Sequence, residues 1–367
     1  LEPFPTDDQW GWQPHTRIAS LYVDQFPPND LSALSPDELR ARGFSKDDDL
    51  ARAKSAQYKI PLFPSIRQAL TLGGDELAVD GVLLIGEHGD YPFNALGQHL
   101  YPRTRFFDET VAVFRESGRS VPVLSDKHRT WNVDGAQAMV DTARDMGFPL
   151  MAGSSLPYST TLQPPLPAGS QIEEGVGLFY VGSETDGFHS REAMQGFVDT
   201  RAGGESGISA LTTYKGNDVW TAMENGAWAG DLFQAALETC TSARPGDIRH
   251  NCRAAEPYDG NGSPLAFCFE HVDGLRTTHV LLAGHIEDFA FAIRARDDQA
   301  NGAQIHAARW EAGGPNQFHG HFGTLDAKIQ EMFLSGQAPV PIERTLLTTK
   351  MVAAALQALQ SPSRRVK

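Results

Sequence analysis

The stretch that decides the fold is "SGRSVPVLSDKHRTWNVDGAQAMVDTARDMGFPLMAGSS", residues 117–155. "SVPVLS" (120–125) reads as a strand, and Asn132 then stands where a helix N-cap belongs. Ala136, Met139, Val140 and Ala143 keep helical spacing as far as Gly147, and "FPLMAG" (148–153) is a second strand. Strand, helix and strand in that order call for a right-handed crossover and a parallel sheet. The alternation continues upstream. "RIASLYVD" (17–24), "IPLF" (60–63) and "VDGVLLIG" (79–86) read as strands, the last so continuously apolar that both of its faces are expected to be covered. Helices are expected over 45–58 with Ser45 as N-cap, over 65–72 ended by Gly73 and Gly74, and over 104–117. In the last of these Phe107, Val111 and Phe114 share a face, and Gly118 stands at the cap. Residues 1–153 thus read as an α/β domain with a doubly wound parallel sheet.

A Pro-, Ser- and Thr-rich segment, "SSLPYSTTLQPPLPAGS" (154–170), marks the boundary. Beyond it come longer alternating runs at 173–182, 207–214, 264–272, 276–284 and 288–296. They predict an α+β domain over 154–367 with one large, mainly antiparallel sheet and helices near 189–201, 231–239, 322–335 and 344–360. Two domains also suit 367 residues, more than one core usually serves.

Forty-six acidic residues against 31 Lys and Arg give a formal charge of -15, which disfavours nucleic acid and anionic membranes as partners. No apolar run approaches the roughly 20 residues that cross a bilayer. A cytoplasmic protein with a small-molecule substrate is expected, although the chain starts at Leu1 and a targeting peptide is not readable from it. Cys240, Cys252 and Cys268 fit neither a disulfide framework nor a metal motif and read as reduced core residues.

Ligands of doubly wound sheets sit beyond the carboxyl ends of the strands. Asp24, "GEHGDY" (86–91) and "SDKH" (125–128) occupy such positions. The succession "VDGVLLIGEHG", helix, "SVPVLSDKH", helix, "FPLMAGSS" resembles the Gfo/Idh/MocA oxidoreductases, which include glucose-fructose oxidoreductase and inositol dehydrogenase. "YVGSETDGFHSREAM" (180–194) and the final "PIERTLLTTKMVAAALQAL" (341–359) are similar to later parts of the same pattern. The resemblance implies a Rossmann-like dinucleotide-binding domain, a C-terminal domain whose open sheet packs on another subunit of a homo-oligomer, and an active cleft between the domains. It implies NAD- or NADP-dependent oxidation or reduction of a sugar, polyol or related hydroxylated molecule.

Residue by residue, Lys127 takes the place of the family's catalytic lysine, with Asp126 for its glutamate and His128 for its proline. His189 matches the histidine of the helix-opening pattern, and Gly187 is in register. Thr185 holds the aspartate position, so Glu184 or Asp186 must substitute. Lys127 would donate to a reacting hydroxyl, partial burial favouring its neutral amine, and His189 would act as base or orienting group. Asp126 and His128 line the pocket or cap the next helix. Asp24 stands where a carboxylate would accept from an adenosine ribose, and Gly86, Glu87 and His88 lie in the loop that faces nicotinamide and substrate in the family.

One departure is large: no glycine-rich turn stands near the start, which is expected to reflect a trimmed N-terminal strand, or else a relative that has lost its dinucleotide site. A rival reading joins Glu87, His88 and Asp90 with Asp126 and His128 into a zinc or manganese site for hydrolysis, isomerisation or elimination. Lys127 would repel such a cation. A cofactor-free binding protein is the third reading. His319 with His321, and His279 with His285, read as solvent-facing rather than as metal ligands.

Overall fold

The computed structural model describes residues 14–25, 50–87, 89–128, 130–158, 166–255, 259–297, 302–310 and 320–367. In chain order these hold β1 (Leu21–Tyr22), α1 (Leu50–Tyr58), β2 (Leu62–Phe63), α2 (Ile66–Thr71), β3 (Val82–Leu84), α3 (Arg103–Ser117), β4 (Val123–Asp126), α4 (Val133–Met146) and β5 (Leu150–Gly153). There follow β6 (Gln171–Phe179), α5 (Thr185–Val198), β7 (Ile208–Lys215), α6 (Asn217–Glu224), α7 (Gly230–Thr239), α8 (Ile248–Ala254), β8 (Leu265–His271) and β9 (Arg276–Leu281). Then come β10 (Phe289–Asp297), β11 (Gly302–Trp310), α9 (Gly320–Ser335) and α10 (Ile342–Ala358). The chain divides into two compact units, Leu1–Pro92 with His99–Ala152 and Asp326–Ile342, and Phe93–Gln98 with Gly153–Leu325 and Glu343–Lys367.

In the first unit β1 pairs with β2 in parallel across α1, and β3 pairs with β4 in parallel, Val82 opposite Val123. β5 lies on the other side of β4. The core joins Val82, Leu84, Val123 and Leu150 to Phe107, Val111 and Phe114 of α3 and to Met139 and Ala143 of α4. Local chemistry sets the helix ends. Asn132 accepts from the N–H groups of Asp134 and Gly135, and Gly118 and Gly147 close α3 and α4 in the left-handed conformation. Ser65 caps α2, but Leu72, with φ 52°, takes the left-handed C-cap that the sequence assigns to glycine. The Ser45 cap lies outside the described residues. β3 also departs from expectation: Leu83 and Ile85 are exposed while Val82 and Leu84 are buried, so this strand is covered on one face rather than two.

The second unit is built on a six-stranded sheet in the order β11-β10-β6-β9-β8-β7, antiparallel except between β6 and β9. Register sorts its side chains into two faces. Phe291, Gly177, His279, Phe267 and Thr213 form a row on the face that packs against α5 and α10. Ala290, Leu178, Val280 and Ala266 form a row on the other, beneath α6, α7 and α8. Trp228, Leu232 and Phe233 bury that second face. Helices α6, α7 and α8 cover this second face at Ala290, Leu178, Val280 and Ala266, while Arg276 and Ile305, farther along the same face, are exposed. β11, α6 and α8 have no counterpart in the sequence reading.

Glycine sets the depth of α5. A Cβ at Gly177 would lie 3.0 Å from Ser190 Oγ and 3.1 Å from His279 Nδ1, so only a bare backbone lets the helix approach β6 this closely.

Candidate active site

In the first unit, the ends of β3 and β4 bring together Glu87, Asp126, Lys127 and His128. Lys127 has φ 48°, a left-handed conformation uncommon for a residue with a side chain. Its side chain is only 16% exposed, and its ammonium donates to Glu87 Oε1, whose side chain is 4% exposed.

Arg103, the first residue of α3, completes the group. Its Nη2 lies 3.9 Å from Glu87 Oε2, and its guanidinium sits 4.7 Å from the Tyr101 ring centre. Arg103 Nη1 donates to His128 Nε2 at 3.2 Å. A guanidinium has only donors, so Nε2 must accept and the His128 ring carries its proton on Nδ1. Gly86 makes room for this packing: a Cβ there would lie 2.7 Å from Arg103 Cγ. Asp126 is pushed up to about 7, first by burial and then by the Glu87 carboxylate, with Lys127 and Arg103 pulling the other way. With Asp126 protonated, two cations face one carboxylate, and the cluster favours a ligand oxygen that gains negative charge.

At the end of β1, Asp24 Oδ1 accepts from the Tyr22 hydroxyl at 2.6 Å and from Arg105 Nη2 at 2.5 Å, and Oδ2 accepts from the Tyr91 hydroxyl at 2.7 Å. Its pKa is lowered by these donors, which outweigh the opposing effect of burial, while the Tyr91 hydroxyl is pushed up by burial and by Asp24. Gln25 exchanges two hydrogen bonds with the backbone of Asp90. The carboxylate thus takes the donors that a cofactor diphosphate would need, and Arg105 is further tied to Glu109. Residues 26–49, which follow this strand, lie outside the described residues. His88 lies outside the described residues.

In the second unit, α5 opens with Thr185, Asp186 and Gly187 and carries His189. Ser154 Oγ lies 2.6 Å from His189 Nδ1 and accepts from the Leu156 N–H, which fixes the ring edge-on to Phe289. Glu184 is buried and Asp186 half-buried. A cavity of about 490 Å³ opens where β6 and β9 end, lined by Tyr180, Asp259, Ser263 and Glu287 among others. Tyr180 also packs on Phe289, and its hydroxyl is pushed up to about 12 by burial and then by Asp186 and other acids. Asp259 accepts from the Ser183 backbone at 2.6 Å and so braces the segment that leads into α5.

Among the described residues no group of three or more His, Cys, Asp or Glu side chains is arranged to hold a metal, and no helix is long and apolar enough to cross a membrane. Glu87 and His128 of the rival metal set are engaged by Lys127 and Arg103 instead. His279 and His285 are buried, 0% and 6% exposed, contrary to the solvent-facing expectation, because one lies under α5 and the other is held by Asn251. His319 lies outside the described residues, as does the side chain of His321. All three cysteines are free, their thiols pushed up by burial.

The sequence reading missed Arg103, Ser154 and Tyr180. Tyr180 and Ser154 directly follow strands and could have been found by the strand-end rule. Arg103 opens a helix, and only its packing on Gly86 reveals it.

No protein-family model matches the chain, and no curated protein matches it either. Solved structures do. GenD2 from gentamicin A biosynthesis, in complex with NAD, is 12% identical with a TM-score of 0.55 over 86% of this chain and 84% of that one. Myo-inositol dehydrogenase from Lactobacillus casei, in complex with NAD(H) and myo-inositol, is 10% identical with a TM-score of 0.53 over 86% and 85%. Aldose-aldose oxidoreductase from Caulobacter crescentus, complexed with glycerol, is 15% identical with a TM-score of 0.51 over 96% and 92%. The chain has the fold of these proteins, the fold that the sequence resemblance implies.

Proposed function

We propose that the protein is an oxidoreductase acting on a sugar, polyol or related hydroxylated small molecule, with NAD or NADP as the hydride partner implied by its fold neighbours. The observation that carries this reading is the Lys127 ammonium, held at the end of β4 in a left-handed backbone turn beside Glu87 and Arg103. Lys127 donates to the reacting hydroxyl and stabilises the negative charge that grows on its oxygen; Arg103 strengthens this by offsetting Glu87. Asp126 takes up or releases a proton near neutral pH. In the second unit, His189, whose Nδ1 meets Ser154 Oγ, serves as a second proton-handling group. Asp186 supplies the acidic side chain of that helix opening.

Asp24, the candidate ribose carboxylate, is held by Tyr22, Tyr91 and Arg105. Fluorescence titration of NADH into the full chain, repeated with Lys127→Ala, tests the reading. Saturable binding by both proteins with turnover of a polyol only by the parent is expected. No binding by the parent would overturn the redox assignment and favour a binding protein on the same fold.

A further inference from the structure

Arg191 lies in the middle of α5 and is 0% exposed. Its Nε, Nη1 and Nη2 have no hydrogen-bond partner among the described residues. The guanidinium packs over Phe267 and Phe269, its carbon 4.6 and 5.4 Å from their ring centres. These contacts offset part of the cost of burying the charge but supply no acceptor.

The sheet below offers two more orphaned atoms. Thr213, Phe267 and His279 stand in one row across β7, β8 and β9. His279 Nδ1 meets Ser190 Oγ at 2.9 Å, whereas His279 Nε2 and Thr213 Oγ1 are buried with no partner among the described residues. Burial, followed by the charges of Arg191 and His271, holds His279 well below its ordinary pKa, so its ring is neutral. Burial lowers Arg191 only to about 9, and the guanidinium remains charged at neutral pH. Glu192, the next residue along the helix, is committed to Arg344, Thr345 and Thr348.

A charge this deep calls for a counter-charge. We propose that Arg191, together with His279 and Thr213, binds a small inorganic anion of chloride size between α5 and the sheet. The size follows from the walls. The guanidinium has phenylalanine rings on one side, and toward the helix a Cβ at Gly187 would lie only 2.5 Å from Arg191 Nη1. A monatomic anion accepts from any direction and fits where a tetrahedral oxyanion does not. The site is independent of the oxidoreductase reading.

The test is thermal unfolding of the full chain in sodium gluconate, with chloride substituted at constant ionic strength. One-site linkage raises the folding constant about 100-fold at 100 times the Kd, read as a melting temperature that climbs with chloride. Arg191→Met keeps the reach and the aromatic contacts without the charge, and should fold with no chloride dependence. Crystals grown in bromide should show an anomalous peak in contact with the guanidinium. Equal melting of the parent in gluconate and chloride would overturn the proposal, as would the same chloride dependence in Arg191→Met. If that variant does not fold, the bromide map decides: density without anomalous signal means that water alone solvates Arg191, and the proposal fails.

Discussion

Replacing Lys127 by methionine and, separately, by glycine distinguishes the work of its charge from that of its backbone. The ammonium contacts Glu87, which is 4% exposed, so its loss removes one partner of a buried carboxylate. Stranding a buried charge completely costs about 3–5 kcal/mol. Glu87 is not stranded, because Arg103 Nη2 remains 3.9 Å from its Oε2. At such a separation and an effective dielectric of about 20, the attraction is about 4 kcal/mol before desolvation. Lys127→Met is therefore expected to cost about 1–3 kcal/mol, or roughly 2–10 °C in melting temperature for a unit of this size. The φ of 48° adds a second comparison. A left-handed conformation costs a residue with a Cβ about 1–2 kcal/mol, and glycine's freedom in the unfolded chain returns about 0.5–1 of that. Lys127→Gly should then melt about 1–3 °C above Lys127→Met. Both should lose about 100-fold or more in turnover, the scale of one donor to a growing oxyanion. Calorimetry beside a polyol turnover assay reads all of this. A loss above about 5 kcal/mol in the methionine variant would make the lysine a structural residue. Unchanged turnover would refute the chemistry, and a glycine variant less stable than the methionine one would refute the strained backbone.

The carboxyl of Asp126, pushed up to about 7, predicts an unusual pH dependence. A raised folded pKa means that its contribution is complete below the unfolded value of about 4 and is lost as pH rises through about 7, at up to about 1.4 kcal/mol per pH unit. Asp126→Asn should flatten the fall in stability between those pH values, and an unaltered slope would assign the titration elsewhere. Met139 is 2% exposed in the core between α4 and the sheet, so Met139→Asp should cost the first unit more than about 4 kcal/mol. An unchanged melting curve would place Met139 on the wrong face of its helix.

What the sequence made legible, and what it hid, follows from the range of the forces involved. α4 could be read because its signals are local: the Asn132 cap, the spacing of Ala136, Met139, Val140 and Ala143, and the terminal Gly147. α6 and α8, of 8 and 7 residues, are too short for a periodicity to emerge. β11, "GAQIHAARW", has little strand propensity of its own and is held by pairing along its whole length with β10. The assignment of Asp326–Ile342 to the first unit depends on tertiary packing, Phe333 against Gly81 for example, and nothing local announces it. At the site, the strand-end rule found Asp126, Lys127 and His128 because chain direction alone places them. It could not find Arg103, whose part depends on a missing side chain at Gly86.

The two strand-end clusters in the first unit differ in polarity, and that difference bears most on function. At β1, among the described residues, the Tyr22 and Tyr91 hydroxyls and Arg105 all donate to the Asp24 carboxylate. At β3 and β4 the balance is reversed, with Lys127 and Arg103 sharing one ionised carboxylate while Asp126 keeps its proton up to about pH 7. Chemistry that builds negative charge on a substrate oxygen is favoured at the second cluster. Any dinucleotide that serves it must find its diphosphate contacts away from Asp24. The two ends of the proposed reaction can thus be separated by mutation: Asp24→Asn should leave the Lys127 cluster and its pH dependence intact, because none of the groups that shift Asp126 belongs to the Asp24 clasp.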